Sequence, residues 1–216
     1  MKLFVFEHCP FCVRAMMTAG YKKLDVGLEY IQNHDVDARI EKVGANMVPI
    51  LQKDDGSYMG ESLDIVAYLD GIGHSAPMAA ATKTAAIETW KKRAHPYEGP
   101  LVHPRWMKIE LPEFQSDEAK AWYTKNKSTM IGMSFEHALE NSAEYIAQMN
   151  ALLLDIDWIV LPSEKSQTLS YDDILTYPSL RNLTVVKGIE FPARIRQYID
   201  EVTALTDVPL YDDVAV

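Results

Sequence analysis

The feature that most restricts how this chain can fold is a pair of cysteines, Cys9 and Cys12, separated by a Pro-Phe dipeptide. The preceding residues 2–6 are short, apolar, β-branched and aromatic, a pattern that predicts a buried strand. The residues from Val13 onward predict a helix, so the cysteines should lie at a strand-to-helix turn. Pro10 suits the first helical turn, because its missing N–H would have no partner inside the helix.

The start of a helix stabilises a thiolate through its dipole and its unpaired backbone N–H groups. There the pKa of a cysteine can fall from about 8.5 to roughly 3.5–7.5. Cys9 is therefore the candidate nucleophile, and Cys12 is close enough to attack a mixed disulfide formed on Cys9. A zinc site is the alternative for such a pair, but zinc normally needs four ligands and only His8 lies nearby. The dithiol interpretation is favoured, and no metal is expected.

The amino-acid composition indicates which binding partners and which cellular compartment this protein can have. The chain has 216 residues, 48% of them hydrophobic, a net charge of -10 and only two cysteines. The negative charge argues against nucleic acids and anionic membranes as partners. Two closely spaced cysteines fit a reducing compartment, and Glu7, His8 and Arg14 interrupt any apolar leader near the N-terminus. With no apolar run of about 18 residues, we expect a soluble cytoplasmic protein.

The first 72 residues alternate between strand and helix patterns, while residues 85–216 have only helical ones. We predict a small four-stranded mixed sheet covered by helices in residues 1–72, a linker at 73–84 and an all-helical domain at 85–216. The first part has the predicted order β-α-β-α-β-β-α, with segments Leu3–Phe6, Val13–Tyr21, Leu28–Gln32, Asp37–Lys42, Val48–Leu51, Ser57–Met59 and Ser62–Leu69. An Asp-Gly turn at residues 55–56 predicts the hairpin. The later helices are predicted at Ala85–Arg93, Ser116–Asn126, Phe135–Trp158, Tyr171–Val186 and Pro192–Leu205, with a capping box from Ser170 to Asp173.

Two further short motifs point to a binding groove. Pro49 opens an apolar strand, where it gives up a ladder hydrogen bond. A cis Val48–Pro49 bond would turn the Val48 backbone towards a ligand, whereas the alternative is an edge strand that tolerates proline. Glu61 and Ser62 open a helix, whose N-terminus binds carboxylates, and together they match the α-amino-acid end of a γ-glutamyl group. The alternative is that Ser62 is only a helix cap.

In this order, these elements resemble the bacterial glutaredoxin 2 family, which joins a thioredoxin-like domain to a helical domain as glutathione transferases do. The resemblance spans nearly the whole chain and rests on residues His8–Cys12, Val43–Asp55, Tyr58–Val66, Leu169–Ile174 and Leu180–Ile189. The chain departs from the family at Phe11, where tyrosine is usual, and at Leu161–Gln167, where the loop is short.

The resemblance implies a glutathione-dependent thiol–disulfide oxidoreductase in which Cys9 attacks and Cys12 resolves. Val48 would bind the cysteinyl part of glutathione through its backbone, Glu61 and Ser62 would hold the γ-glutamyl end, and Phe11 and Pro49 would line the site. The reduction potential should lie near the glutaredoxin range of roughly -200 to -230 mV. The cation for the glycine carboxylate stays open among Lys22, Lys23, His34 and Lys42.

Two other functions are compatible with the pattern. A glutathione transferase would conjugate electrophiles, but it needs no second cysteine, so Cys12 favours reduction. A non-catalytic module could use glutathione and Cys9 to bind an iron–sulfur cluster, and Pro10 argues against it. The tryptophans are interpreted as packing residues, with Trp90, Tyr97 and Trp106 as alternative wall residues of a cleft. We expect a monomer that acts on glutathionylated or disulfide-containing proteins.

Overall fold

The computed structural model describes residues 1–73 and 76–216. The chain forms two compact units, of which the first takes in Met1–Met78, Glu110–Tyr123 and Leu205–Val208. The second unit takes in Ala79–Ile109, Thr124–Ala204 and Pro209–Val216. Within the predicted linker at 73–84, His74 and Ser75 lie outside the described residues. The boundaries at residues 72 and 85 stay a prediction.

The first unit contains a four-stranded mixed sheet, as predicted. Its elements are β1 (Lys2–Val5), α1 (Pro10–Tyr21), β2 (Gly27–Tyr30), α2 (Val36–Val43), β3 (Ile50–Gln52), β4 (Tyr58–Met59) and α3 (Ser62–Ile72). The strand order is β2-β1-β3-β4. β1 is parallel to β2 and antiparallel to β3, and β3 is antiparallel to β4. This is a thioredoxin-like arrangement.

Local chemistry explains the main elements of this unit. Leu3 and Val5 of β1 are fully buried, as the apolar strand pattern requires. Gly56 in the predicted hairpin turn has a φ of +84°, a conformation that glycine adopts without strain. Gly20 near the end of α1 leaves room for a neighbouring backbone, because a Cβ there would lie 1.9 Å from the carbonyl oxygen of Thr206.

In the described residues of the second unit, helices are the regular elements and loops and turns connect them. An isolated bridge joins Ala79 and Ser170. The remaining helices of the chain are α4 (Thr84–Trp106), α5 (Asp117–Ile131), α6 (Phe135–Glu140), α7 (Ser142–Leu154), α8 (Tyr171–Leu183) and α9 (Ala193–Thr206). Trp90 and Trp106 are almost fully buried, and the Trp90 indole donates a 2.9 Å hydrogen bond to the carbonyl of Leu152. The interpretation as packing residues is confirmed for these two tryptophans, whereas Trp122 is 42% exposed and Trp158 is partly buried.

Several predicted helix limits were wrong. The helix predicted at Ala85–Arg93 continues to Trp106 through three prolines, at positions 96, 100 and 104. Each proline removes one backbone donor, yet its fixed φ is helical, and burial of the apolar residues of the last turns offsets the lost hydrogen bonds. The helix predicted at Ser116–Asn126 is α5, which extends to Ile131.

The helix predicted at Phe135–Trp158 is two helices that end at Leu154. The break falls at Asn141, whose backbone N–H and side-chain amide both donate to the carbonyl of His137. Such a local side-chain bond competes with continuation of the helix. The helix predicted at Tyr171–Val186 ends at Leu183, and the hydroxyl of Thr184 donates to the carbonyl of Arg181 at that end.

Two smaller features complete the description of the chain. The predicted capping box of α8 is confirmed, since the Asp173 carboxylate accepts from both the backbone N–H and the hydroxyl of Ser170. Over residues 1–73 and 76–216, every helix is too short or too polar to cross a membrane.

Candidate active site

The two cysteines occupy the turn between β1 and α1, as predicted. Cys9 is the N-terminal capping residue of α1, and Pro10 is its first helical residue. The Cys9 N–H donates to the carbonyl of Phe6 at 3.2 Å, and the Cys9 carbonyl accepts from Val13 at 3.0 Å. Cys9 is partly exposed while Cys12 is buried, and both thiols are free. The turn therefore leaves Cys9 the more accessible of the two cysteines.

The surroundings of the two thiols push their pKa values in opposite directions. A hydrogen bond from the Cys12 thiol lowers the pKa of Cys9 to about 6 against the opposing effect of burial, with further help from the charge of His8 and from backbone N–H groups. Burial, together with the hydrogen bond and charge of Cys9, raises the pKa of Cys12 well above its usual value. The lowered pKa has the direction expected for a thiolate at Cys9, and its chief cause is the second cysteine rather than the helix start.

A buried histidine–glutamate pair beside the cysteines was missed from the sequence. The His8 Nδ1 lies 2.5 Å from the Oε1 of Glu113, and the His8 backbone N–H donates to the same oxygen at 3.2 Å. Both side chains are buried, and Glu113 is fully so. Burial raises the pKa of Glu113, but the hydrogen bond and charge of His8 outweigh it, and the pKa is lowered overall. A separation of 105 residues hides this pair from any local pattern.

The peptide bond between Val48 and Pro49 is cis, which confirms that prediction. Pro49 is buried and Val48 is partly exposed. Cys9 and Val48 both contact one apolar cluster of the first unit, formed by Phe4, Phe6, Ile31 and Ile50. The structure thus brings the candidate nucleophile and the candidate backbone-binding residue to the same part of the sheet.

Glu61 and Ser62 lie at the start of α3, but Ser62 is not the residue that caps this helix. The capping residue is the exposed Glu61, with a φ of +59°, and the buried Ser62 is the first helical residue. The interpretation of Ser62 as only a helix cap was therefore wrong. The Arg14 guanidinium, also not singled out from the sequence, donates to the Ser62 hydroxyl oxygen at 3.2 Å and lies 4.8 Å from the ring centroid of the half-exposed Phe11.

The cations considered for the glycine carboxylate differ in their surroundings. Lys22 was a wrong candidate, because its ammonium group is buried 2.6 Å from the Asp70 carboxylate. Lys23 lies 3.0 Å from Asp207, and His34 lies 3.6 Å from Glu118. The Lys42 ammonium group lies 4.8 Å from the ring centroid of Phe4. Among the described residues, no three His, Cys, Asp or Glu side chains converge in a way that could hold a metal ion.

Comparisons with known proteins identify the family of this chain. Residues 86–215 match the family model of the glutaredoxin 2 C-terminal domain, and residues 3–74 match that of the glutathione S-transferase N-terminal domain. Glutaredoxin 2 of Escherichia coli K12 is 36% identical over 217 aligned residues that cover all of both chains.

Solved structures give the same result. The crystal structure of glutaredoxin 2 from Salmonella typhimurium in complex with glutathione is 37% identical, with a TM-score of 0.92 over 100% of this chain and 98% of that one. A glutathione S-transferase of Ceriporiopsis subvermispora shares the fold at 12% identity and a TM-score of 0.69, covering 97% of each chain. On its sequence and its fold, this chain belongs to the glutaredoxin 2 family.

Proposed function

We propose that this protein is a glutathione-dependent thiol–disulfide oxidoreductase that works through Cys9 and Cys12. Membership of the glutaredoxin 2 family gives the reaction class, and the relative from Salmonella was solved with glutathione bound. The observation that carries the assignment to these residues is the contrast between the two thiols. Cys9 is partly exposed with a pKa of about 6, whereas the buried Cys12 keeps its proton at neutral pH.

With a glutathionylated protein, the Cys9 thiolate attacks the glutathione sulfur of the mixed disulfide. The original S–S bond breaks, a Cys9–glutathione disulfide forms, and the substrate leaves as a thiolate that takes a proton from solvent. A second glutathione, as its thiolate, then attacks this disulfide and leaves as oxidised glutathione, so that Cys9 returns to its thiolate form. A low pKa makes Cys9 a good leaving group in this second step.

With a protein disulfide, Cys9 forms a mixed disulfide with the substrate and Cys12 resolves it. Cys12 loses its proton to solvent or to the departing substrate thiolate and attacks the sulfur of Cys9. The product is a Cys9–Cys12 disulfide, which two glutathione molecules reduce again. The hydrogen bond from Cys12 to Cys9 in the reduced protein supports this role, because it places the two sulfurs within reach of each other.

Glutathione would bind to the surface that carries Cys9, Phe11, Val48, Pro49, Glu61 and Ser62. The Val48 backbone would bind the cysteinyl part, and Glu61 would accept from the γ-glutamyl ammonium group. The γ-glutamyl carboxylate would bind at the start of α3, where unpaired backbone N–H groups face it. Arg14 donates to the oxygen of Ser62, so the hydroxyl proton of Ser62 is left to donate to that carboxylate.

The same reasoning favours reduction over conjugation. A transferase activates the thiol of glutathione and has no need of a cysteine that hydrogen-bonds to another cysteine. Likenesses to transferases at 12% identity concern the fold alone. A monomer in the cytoplasm, acting on glutathionylated or disulfide-containing proteins, completes the proposal.

The test compares Cys9→Ser and Cys12→Ser in two assays, one with a glutathione mixed disulfide and one with a protein disulfide. We expect Cys9→Ser to be inactive in both, because a serine hydroxyl stays protonated and cannot replace the thiolate. Cys12→Ser should keep activity with the mixed disulfide and lose it with the protein disulfide. Its intact mass after incubation with oxidised glutathione should increase by one glutathionyl group. Sustained turnover by Cys9→Ser would refute the assignment.

A further inference from the structure

The proposed reaction does not use the buried side chains of His8 and Glu113 beside Cys9. His8 precedes Cys9 directly in the chain, and its ring and backbone both meet the Oε1 of Glu113. Glu113 lies in the short 3₁₀ helix Pro112–Phe114, and its backbone carbonyl accepts a 3.0 Å hydrogen bond from the N–H of Asn33. That bond and the pair with His8 fix the carboxylate within the first unit, next to the turn that carries the cysteines.

We propose that Glu113 is a positioning residue that keeps a protonated His8 beside the Cys9 sulfur and thereby keeps Cys9 in its reactive thiolate form. This inference rests on the proposed role of Cys9 as the nucleophile. It adds a residue outside the cysteine turn, more than a hundred positions further along the chain, to those that determine the reactivity of Cys9.

The burial of Glu113 requires a positive partner. Its side chain is fully buried, and a buried carboxylate is strongly unfavourable unless it is paired. The Oε1 of Glu113 meets the ring Nδ1 and the backbone N–H of His8, while its Oε2 has no hydrogen-bond partner. The lowered pKa of Glu113 keeps its carboxylate ionised at neutral pH. At 2.5 Å, the Nδ1 of His8 is placed to donate a proton to this carboxylate, and the proposal adds a second proton on Nε2.

Three aromatic rings hold the His8 imidazole in place. It is stacked on Phe6 at 6.0 Å and on Phe114 at 5.3 Å between ring centroids, and it meets Tyr123 in an edge-on geometry at 5.1 Å. Aromatic faces favour a cation, and the tight enclosure leaves the ring little freedom to rotate. The imidazolium therefore keeps a fixed position relative to Cys9.

The charged and titratable groups around Cys9 allow the sign of the effect to be worked out. Cys12 donates a hydrogen bond to it, and His8 and Arg14 interact with it as positive charges. The groups around His8 include Glu113, Cys9 and the ring of Tyr123. The charge of Glu113 also contributes to the raised pKa of Cys12. Glu113 alone, as a negative charge, would disfavour a nearby thiolate. Acting through a protonated His8, Glu113 favours the thiolate instead. The direction in which the pKa of Cys9 changes in Glu113→Gln therefore distinguishes the direct role of Glu113 from its role through His8.

The test is to measure the pKa of Cys9 in Glu113→Gln, from the ultraviolet absorbance of the thiolate as a function of pH. Loss of the carboxylate should leave His8 neutral, because a buried imidazolium without its partner is unfavourable. We expect the midpoint of the Cys9 titration to rise by about one pH unit, which is the lower end of the range for removal of an adjacent charge. At pH 7 the thiolate fraction would fall from roughly nine tenths to roughly one half.

The matched control is Glu118→Gln, which removes the same charge from a carboxylate 3.6 Å from another histidine, His34, in an exposed position. Its midpoint should not change. A fall of the midpoint in Glu113→Gln, or no change, would overturn the proposal, because it would mean that the carboxylate acts directly or not at all. Introduced into His8→Phe, the Glu113→Gln change should no longer raise the midpoint. An equal rise there would show that the effect bypasses His8.

A measurement on the unaltered protein covers the case in which these variants do not fold. In a nitrogen-15 spectrum of the imidazole groups at neutral pH, His8 should have both ring nitrogens protonated. A neutral His8 would overturn the inference. Neither result depends on turnover, so a failure of this inference is distinct from active Cys9→Ser, which would refute the proposed function itself.

Discussion

Replacing Cys12 by alanine removes the hydrogen bond that contributes most to the low pKa of Cys9. The pKa of Cys9 falls from an ordinary value of 9.0 to about 6, a difference of three units. A hydrogen bond to a charged group contributes about 1.5–3 kcal/mol, which corresponds to about one to two of these units at 1.36 kcal/mol each. His8 and the backbone N–H groups remain in the variant, so we expect a midpoint of about 7–8 for Cys12→Ala.

Cys12→Ser is the matched control for this substitution. A serine hydroxyl keeps a donor at the same position, so its midpoint should stay close to about 6, the value for the unaltered protein. Both variants have a single thiol, which makes the ultraviolet titration unambiguous. In the unaltered protein the pKa of Cys12 is well above its usual value, so Cys9 alone titrates near neutrality.

The same values predict a pH dependence of the reaction. The rate of alkylation of Cys9 should fall as the pH drops through about 6 in the unaltered protein, because protonation removes the nucleophile. In Cys12→Ala the fall should begin at a higher pH, by about one to two units. If the two profiles coincide near pH 6, the start of the helix and His8 are sufficient, and the reasoning that gives Cys12 the main role is refuted.

Two other substitutions test the surroundings of the site. Ser62→Ala should raise the KM for glutathione about tenfold, because a hydrogen bond to the glutathione carboxylate is lost. Ser57→Ala in the exposed turn should not change this KM. An unchanged KM in steady-state assays of Ser62→Ala would contradict the γ-glutamyl site. Gly20→Ala should lower the free energy of unfolding by about 1–3 kcal/mol in urea titrations, because its Cβ would lie 1.9 Å from the backbone of Thr206. Gly71→Ala in α3 has open space around it and should be neutral or stabilising, and equal stability of both variants would show that the close approach at Gly20 is absent.

Much of the fold and of the site could be predicted because the signals are local. The apolar residues of β1, the Pro10 that starts α1 and the Asp-Gly turn before β4 each depend on neighbours within a few positions. The cis bond before Pro49 was one of two interpretations of a proline at the start of an apolar strand, and the structure has the cis bond.

What escaped prediction depends on distant contacts. Glu113 has no local feature that distinguishes it from a surface carboxylate, and only the folded chain brings it to His8. Arg14 was visible only as a charge that interrupts an apolar segment, because its link to Ser62 spans 48 residues. The length of α4 depends on tertiary burial that outweighs three prolines, and sequence patterns weigh each proline as a helix terminator.

The assignment of Glu110–Tyr123 to the first unit affects how modular this protein is. A fragment that ends at residue 72 would contain both cysteines but would lack the carboxylate that faces His8. Residues 1–72, excised or exchanged with those of a relative, would therefore not carry the whole surroundings of Cys9. A transfer of the cysteine turn to another protein would have to include the segment Glu110–Tyr123 as well.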